Sequence, residues 1–599
     1  MTSTTSSTTS TAANATTNAS TTTLDYYLTL VPRGLQDIVQ EALPQQIREA
    51  SSSSTNGQDD EKITVIVQGP DVIGEDPLHY NSAHLQELRN RIVAAFKKKQ
   101  QKRKRMEHPQ LASTRLPIGS VQDDSSRTGR HVSLGYDEQN DALWSIPGGN
   151  VGAVWLRFKT NATPQAVASC RCIGPLLALV HAYTTPITSC DNGKNDNSDG
   201  IQVLEELRRE METVDWEKPL NLWKRHLRHD DDDVDTVSFH NSDPPFQYRC
   251  SCVRDESKSN LVPRQELLRQ GAGFITPPQL LPASGSNAKV SLTKFDMELV
   301  WFIRPHASAV AISLRRNPGT VSSFESGQAL PPDITPPYVH NDNFAVRLRP
   351  TTAQLLLHMA RLQDGDVVLD PCVGIGTIVM ECLHLRRPEH VVAMGGDLEL
   401  ADALRTTAAD YEAQTRQYLQ QQQHRLIRHQ AMLCAWDSVD LPLATASVDV
   451  IVSDLPFGQT CLSSFRLTQL VPLLLDSWAR VLKPAPTGRM VLLCGNPHLL
   501  LEGMQQANQE LHEAISISNS SNKNAAESSS SGSPSGSVAV APLWELPVSS
   551  CRPVNIGGHQ GWIVVVRRGT GSHREVGRLS SCLSKYIAKR DQRRSLPQR

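Results

Sequence analysis

Cysteines at metal-ligand spacing, long apolar runs and a strong charge of either sign are all missing from this 599-residue chain. Its 12 cysteines include no Cys-x-x-Cys. The pairs Cys170/Cys172 and Cys250/Cys252, spaced i, i+2, read as small buried side chains in a reducing compartment. No metal site is expected from them. No stretch approaches the roughly 18 consecutive apolar residues of a membrane span. The first 23 residues are rich in Ser, Thr, Asn and Ala, with no apolar segment, and no arginine precedes Arg33. That composition argues against a secretory signal or a transit peptide, so a cytoplasmic location, with the nucleus as a further compartment, is expected. A net charge of −2 and a pI near 6.8 exclude a surface that is basic throughout. Any nucleic-acid contact must come from local patches.

What is present divides the chain. Its length suggests about three or four domains. Polar low-complexity tracts mark the seams at 1–23, 50–62 and about 516–537, where too little apolar surface exists to offset chain entropy. Between them periodicity returns. Tyr26–Val31 reads as a strand and Gly34–Leu43 as an amphipathic helix. Val151–Phe158 reads as a second strand, followed by a helix-like stretch from Thr163 to Ala182. Phe246–Val253, Lys294–Ile303 and Ala309–Leu314 alternate as half-buried strands do, so this half is expected to be α+β. From Thr351 onward, short apolar strands alternate with helices: Val367–Leu369, Val391–Met394, Ala431–Cys434, Val448–Val452 and Met490–Leu493. That grammar predicts an α/β, doubly wound, mostly parallel sheet. Gly561–Arg567 is a plausible last strand pairing near the 540s.

The chemistry gathers at the ends of those strands. Asp370-Pro371-Cys372-Val373-Gly374-Ile375-Gly376-Thr377 follows the first strand and opens a helix. Gly374 and Gly376 let the backbone approach a ligand where a Cβ would clash. A dinucleotide turn would place a third glycine at 379, which is Val. A carboxylate and amine, as in methionine, therefore suit the turn better than a pyrophosphate. Asp397, after the second strand, stands where an acid accepts both ribose hydroxyls of a nucleoside, with Glu399 as a substitute. Asp437, after the third, suits an adenine amine. Taken singly, each acid could equally be an ordinary cap or turn residue. The fourth strand ends Ser453-Asp454-Leu455-Pro456-Phe457-Gly458, which resembles the Asn/Asp/Ser-Pro-Pro-Tyr/Phe tetrapeptide of methyltransferases acting on amino groups. A conjugated exocyclic amine is a poor nucleophile, so two acceptors must hold its hydrogens and aim its lone pair. The Asp454 carboxylate and the Leu455 carbonyl can do this, with Pro456 stiffening the turn and Phe457 stacking on the base.

With these motifs placed, the chain resembles the THUMP-domain guanine-N2 RNA methyltransferases, weakly over 25–320 and strongly over about 335–500. The marks are FAVRLRPTT at 344–352, DPCVGIGTIVMEC, MGGDLE, AWDSVDLPL, VDVIVSDLPFG and the later VNIGG at 554–558. Upstream, DYYLTLVPRGLQDIVQEAL and residues 246–316 are similar to the family's opening strand and helix and to its THUMP module. Composition gives a disordered tail at 1–23 and a basic tail at 571–599. The resemblance implies a ferredoxin-like α+β region at 24–190, a THUMP-like RNA-binding domain at 191–330 and a Rossmann-like class I methyltransferase domain at 331–570. It implies S-adenosyl-L-methionine as cofactor, held by Thr351, Asp370, Gly374, Gly376, Thr377, Asp397 and Asp437, and an acceptor pocket of Asp454, Leu455, Pro456 and Phe457. It also implies tRNA or another structured RNA as substrate and a small zinc-binding methyltransferase activator subunit as partner. Leu455 stands where many methyltransferases outside this group have proline, so the tetrapeptide alone does not settle the acceptor.

Local basic patches exist. Lys97–Arg105 holds seven basic residues in nine, among them Lys102 and Arg103, and reads as a phosphate contact, a nuclear-import signal or a solvated helix end. Arg315 and Arg316, after a THUMP-like strand, are the stronger candidates for RNA contact. The competing functions are the same chemistry on another structured RNA such as a small nuclear RNA, an amine methyltransferase with a different acceptor, and a non-catalytic RNA-binding protein with a vestigial methyltransferase fold.

Overall fold

The computed structural model describes residues 24–32, 34–52, 63–68, 153–183, 198–227, 245–254, 264–292, 295–303, 308–314, 348–398, 429–456, 464–526, 541–545, 551–556 and 559–571. Phe457, Glu399, Arg315, Arg316, Lys102 and Arg103 lie outside them.

Two sheets organise the chain. The first contains β1 (Asp25–Pro32), β2 (Val65–Gln68), β3 (Ala153–Thr160), β4 (Leu176–Tyr183), β5 (Gln247–Arg254), β6 (Lys289–Val290), β7 (Met297–Ile303) and β8 (Ser308–Ser313), in the order β2-β3-β1-β4-β8-β7-β5-β6. Its first four strands pair antiparallel as 2-3-1-4, with the helix Gln36–Ser52 after β1 and the short helix Pro164–Ala168 after β3. That is the connectivity of a ferredoxin-like unit. β8 then joins β4 antiparallel, so the strands of both expected upstream regions, 24–190 and 191–330, share one continuous sheet.

The helix-like reading of Thr163–Ala182 is corrected here. The helix stops at Ala168, capped by the Thr163 hydroxyl, which accepts from the Ala166 amide. Leu176–Tyr183 is instead a strand between β1 and β8. Its continuous apolar run LLALVHAY lacks period two, and the strand shows no regular alternation of exposure: Leu176–Ala178 and Tyr183 are buried and 179–182 are half-buried. The same holds for β7 and β8, all of whose residues are buried, where alternating exposure was expected.

The second sheet contains β9 (Asp366–Asp370), β10 (Val391–Asp397), β11 (Gln430–Ala435), β12 (Val450–Asp454), β13 (Arg489–Cys494), β14 (Trp544–Glu545), β15 (Cys551–Ile556) and β16 (His559–Arg568). The order is β11-β10-β9-β12-β13-β16-β14, with β15 paired to β16. β9 to β13 run parallel, and β16 enters antiparallel. This is the doubly wound α/β sheet the sequence predicts, and the last strand does pair with the 540s. The helix Pro497–Ala526 runs into the tract read as low complexity from 516 onward. No helix among the described residues is long and apolar enough to cross a membrane.

The two sheets share one of their cores. A buried cluster includes Tyr27, Leu156 and Trp301 from the first sheet, Val450 and Ile563 from the second, and Leu356 from the helix Pro350–Ala360. A further cluster around Ile451, Leu492 and Val564 belongs to the second sheet. At the seam, Arg552 donates to the Gly34 carbonyl at 3.1 Å and pairs with Asp37. A Cβ at Gly34, where φ is +91°, would lie 2.3 Å from the Pro553 carbonyl oxygen, so the approach there demands glycine.

Candidate active site

β9 has β10 on one side and β12 on the other, so the chain progresses outward in opposite directions from this point. In open α/β sheets such a switch leaves a crevice beyond the carboxyl ends of the strands. The predicted acids stand there. Asp370 ends β9, Asp397 ends β10, Asp454 ends β12, and Asp437 follows β11.

The glycine turn between β9 and the helix Thr377–Cys382 is tied to the neighbouring strand ends. The Gly374 amide donates to Asp397 Oδ2 at 3.1 Å, and the Val373 amide to the Gly396 carbonyl at 3.0 Å. Gly374 and Gly376 have φ of +51° and +81°, the left-handed region the turn requires. A Cβ on Gly374 would meet nothing within 4 Å, so the turn faces open space. Thr351 is buried in the first turn of the helix Pro350–Ala360, and Thr377 is buried directly after the glycine turn.

Several positioning residues escape sequence reasoning. Ser453 Oγ donates to Asp370 Oδ1 at 2.7 Å, fixing the carboxylate at the crevice floor. Trp436 Nε1 donates to the Pro371 carbonyl at 3.2 Å, and the Ser438 hydroxyl donates to the same oxygen. Cys372 Sγ lies 3.3 Å from Ser438 Oγ. The loop after β11 thus braces the turn after β9. The available signal was adjacency, since each of these residues neighbours a motif aspartate or glycine. Gly396 admits the indole: a Cβ there would lie 2.3 Å from Trp436 Cε2.

Electrostatics draw the acids together. Burial pushes the Asp370 carboxyl up to about 7, opposed by its Ser453 and Cys372 hydrogen bonds and reinforced by the charges of Asp454 and Asp397. Burial likewise raises the Cys372 thiol to about 12, with Asp370, Asp397 and Asp437 adding to it. Burial also pushes Asp454 up to about 7, and its Oδ1 is buried with no hydrogen-bond partner. Thr377 Oγ1 is buried in the same condition. Asp437 is partly committed to its own turn, since Oδ1 accepts from the Val439 amide at 3.1 Å. Leu455 is buried, and its amide donates to the Leu493 carbonyl at 2.8 Å, locking the strand end that presents Asp454. Pro456 follows at the end of the described segment. No group of three or more potential metal ligands occurs among the described residues.

This crevice holds the Asp370 and Asp454 carboxylates, an open glycine turn and, among the described residues, an unsatisfied acceptor on Asp454. Such an arrangement suits a ligand that carries positive charge and donates hydrogen bonds.

Comparison with known proteins agrees with the geometry. Residues 338–522 match the UPF0020 family, an RMKL-like methyltransferase domain. The chain is 29% identical over 216 residues to the mouse tRNA (guanine(6)-N(2))-methyltransferase THUMP3, covering 34% of this chain and 37% of that protein. It is 32% identical over 151 residues to the bovine U6 snRNA (guanine-N(2))-methyltransferase THUMPD2, covering 25% and 26%. The matches span about a third or less of these relatives' length. Among solved structures, TrmN from Thermus thermophilus matches 72% of this chain and 95% of its own at 18% identity, with a TM-score of 0.42. The segment that carries this crevice thus matches an RMKL-like methyltransferase domain, and the chain is similar over that region to guanine-N2 RNA methyltransferases of the THUMP type.

Proposed function

We propose that this chain is an S-adenosyl-L-methionine-dependent RNA methyltransferase that forms N2-methylguanosine, with tRNA as its foremost substrate. The observation that carries the reading is Asp454, whose buried, unpartnered carboxylate oxygen ends the strand beside the glycine turn. An exocyclic amine needs such an acceptor. The curated relatives act on guanine N2 in tRNA and in U6 snRNA.

The residues fit the donor. Asp370 and Asp454 are carboxylates pushed up to about 7, with no cation beside them among the described residues, a condition that a sulfonium and an α-amine relieve. When bound, S-adenosyl-L-methionine supplies an electrophilic methyl group on a sulfonium. Asp370, Thr351, Gly374, Gly376 and Thr377 would hold its methionine part, Asp397 the ribose and Asp437 the adenine. Asp454 and the Leu455 carbonyl would hold the two hydrogens of the guanine amine, leaving its lone pair directed at the donor. Pro456 stiffens this segment and Phe457 would stack on the base.

The upstream sheet is the proposed RNA-capturing half, THUMP-like in 191–330, with Arg315, Arg316, Lys102 and Arg103 as phosphate contacts. A cytoplasmic site of action, with a nuclear fraction, belongs to the same proposal. Purified protein incubated with labelled donor and either a tRNA or a U6 snRNA transcript tests the substrate. Nucleoside analysis should find N2-methylguanosine in the tRNA digest. Label in U6 alone would move the substrate to the small nuclear RNA. A different methylated nucleoside would defeat the guanine-N2 reading.

We propose further that a small zinc-binding activator subunit docks along β11, the edge strand of the catalytic sheet. Met432 on that strand and Leu398 beside it are about half exposed, and Cys434 is exposed, an apolar rim that a partner strand could cover. Met432→Glu should abolish co-purification with the activator while leaving the melting temperature of the isolated chain within a few degrees. Undiminished co-purification would place the partner elsewhere.

A further inference from the structure

The helix Thr377–Cys382 is short, wholly buried and begins at a glycine that offers no side-chain cap. Glu381, on this helix, is fully buried, and both of its carboxylate oxygens are engaged. Arg171 donates from Nε to Oε2 at 2.7 Å and from Nη2 to Oε1 at 2.5 Å, a two-pronged pair across 210 residues of sequence. Gln354 Nε2 donates to Oε2 and to the Glu381 carbonyl, both at 2.9 Å. Burial alone would raise the Glu381 carboxyl; Arg171 holds it below its ordinary range instead.

Arg171 is itself fixed from the upstream half. It lies between the helix Pro164–Ala168 and β4, and its amide donates to Gln46 Oε1 at 2.9 Å, as the Cys172 amide does at 3.2 Å. Gln46 sits on the helix Gln36–Ser52, which packs against the helix Pro350–Ala360 that carries Gln354. Hydrogen bonds thus link Gln46, on the first sheet's helix, to Glu381 through Arg171, and the helix backbone carries the link from Glu381 to Met380. The Met380 amide closes it by donating to the Gly376 carbonyl at 2.9 Å.

We propose that Arg171 is a positioning residue of the donor site, acting through Glu381 to set the placement of helix Thr377–Cys382 and of the glycine turn before it. The inference rests on the crevice being the donor site, as argued above. An ordinary structural ion pair would raise the melting temperature and leave ligand affinity alone. A positioning pair sets affinity in protein that is already folded, because an unpaired buried carboxylate displaces the helix that bears it.

The test is calorimetric titration of S-adenosyl-L-methionine into the full chain, at a temperature where circular dichroism shows each variant folded. Arg171→Met should weaken donor binding tenfold or more. Arg171→Lys keeps the charge but loses the two-pronged grip, and should recover most of that affinity while remaining at least threefold weaker than the parent. Folded Arg171→Met with parental affinity overturns the proposal. Should that variant fail to fold, parental affinity in Arg171→Lys overturns it instead. Absence of donor binding by the parent chain would defeat the donor-site reading, and this inference with it.

Discussion

Asp454→Ala is expected to slow methyl transfer by about tenfold to hundredfold or more while leaving donor affinity within about twofold. Removing one of two acceptors leaves an amine hydrogen unpaired and the nucleophile unaimed, a penalty of roughly 1–3 kcal/mol at the transition state. That is about a tenfold to hundredfold slower step, to which misplacement of the base adds. Asp454→Asn should be milder, since the amide oxygen still accepts. The acid–base behaviour supplies a second readout. Burial lifts Asp454 to about 7, so its acceptor form is lost as the pH falls through that value. Single-turnover transfer by the parent should therefore rise between about pH 6 and 8 and then flatten. Asp454→Asn should be flatter across the same window. Parental rates in Asp454→Ala, with donor binding measured in parallel, would make this aspartate a turn residue.

Asp370→Asn should separate stability from binding in opposite directions. The Asp370 carboxyl is raised from 3.8 to about 7 in the folded protein. The sign follows from proton counting. Between those values the folded chain holds more protons than the unfolded one, so ligand-free stability falls as pH rises through the window and levels off above it. The full shift corresponds to an upper bound on the order of 4 kcal/mol. Asparagine removes the charge and can still accept from Ser453 through its amide oxygen. The ligand-free variant should thus unfold at higher denaturant than the parent at pH 8, with the difference vanishing near pH 4. Its affinity for S-adenosyl-L-methionine should drop tenfold or more, because the cation loses its carboxylate. A variant that gained no stability at pH 8 and kept parental affinity would remove Asp370 from the donor site.

The half that carries the crevice was legible because its signals are local. Strand, glycine turn and helix follow within Val367–Thr377, and each acid sits at the end of a short apolar run. The positions of Asp370, Asp397, Asp437 and Asp454 at successive strand ends needed only chain order. Leu176–Tyr183 was misread because a near-continuous apolar run on an inner strand carries no alternation and looks like a helix segment. The braces were out of reach for a different reason. Trp436 on Pro371, and Arg171 on Glu381, are contacts across 65 and 210 positions that no local pattern announces. The same distance effect hid the shared core. The expected boundary at 190/191 is crossed by the β4–β8 pairing, and one buried cluster joins the two sheets.

The place of β16 in the second sheet has a consequence for synthesis. It fills the gap between β13 and β14, yet it begins at His559, 65 positions after β13 ends at Cys494. At roughly 5–20 residues per second, the ribosome needs about 3–13 seconds to make that interval. Throughout it, β13 has a bare edge of backbone donors and acceptors on an apolar strand, the kind of surface that recruits another chain. The nascent chain is therefore most exposed to misassembly after its parallel strands, glycine turn and acids have all been made. Expression conditions that slow translation of residues 495–558 should cost soluble yield more than slowing it anywhere upstream.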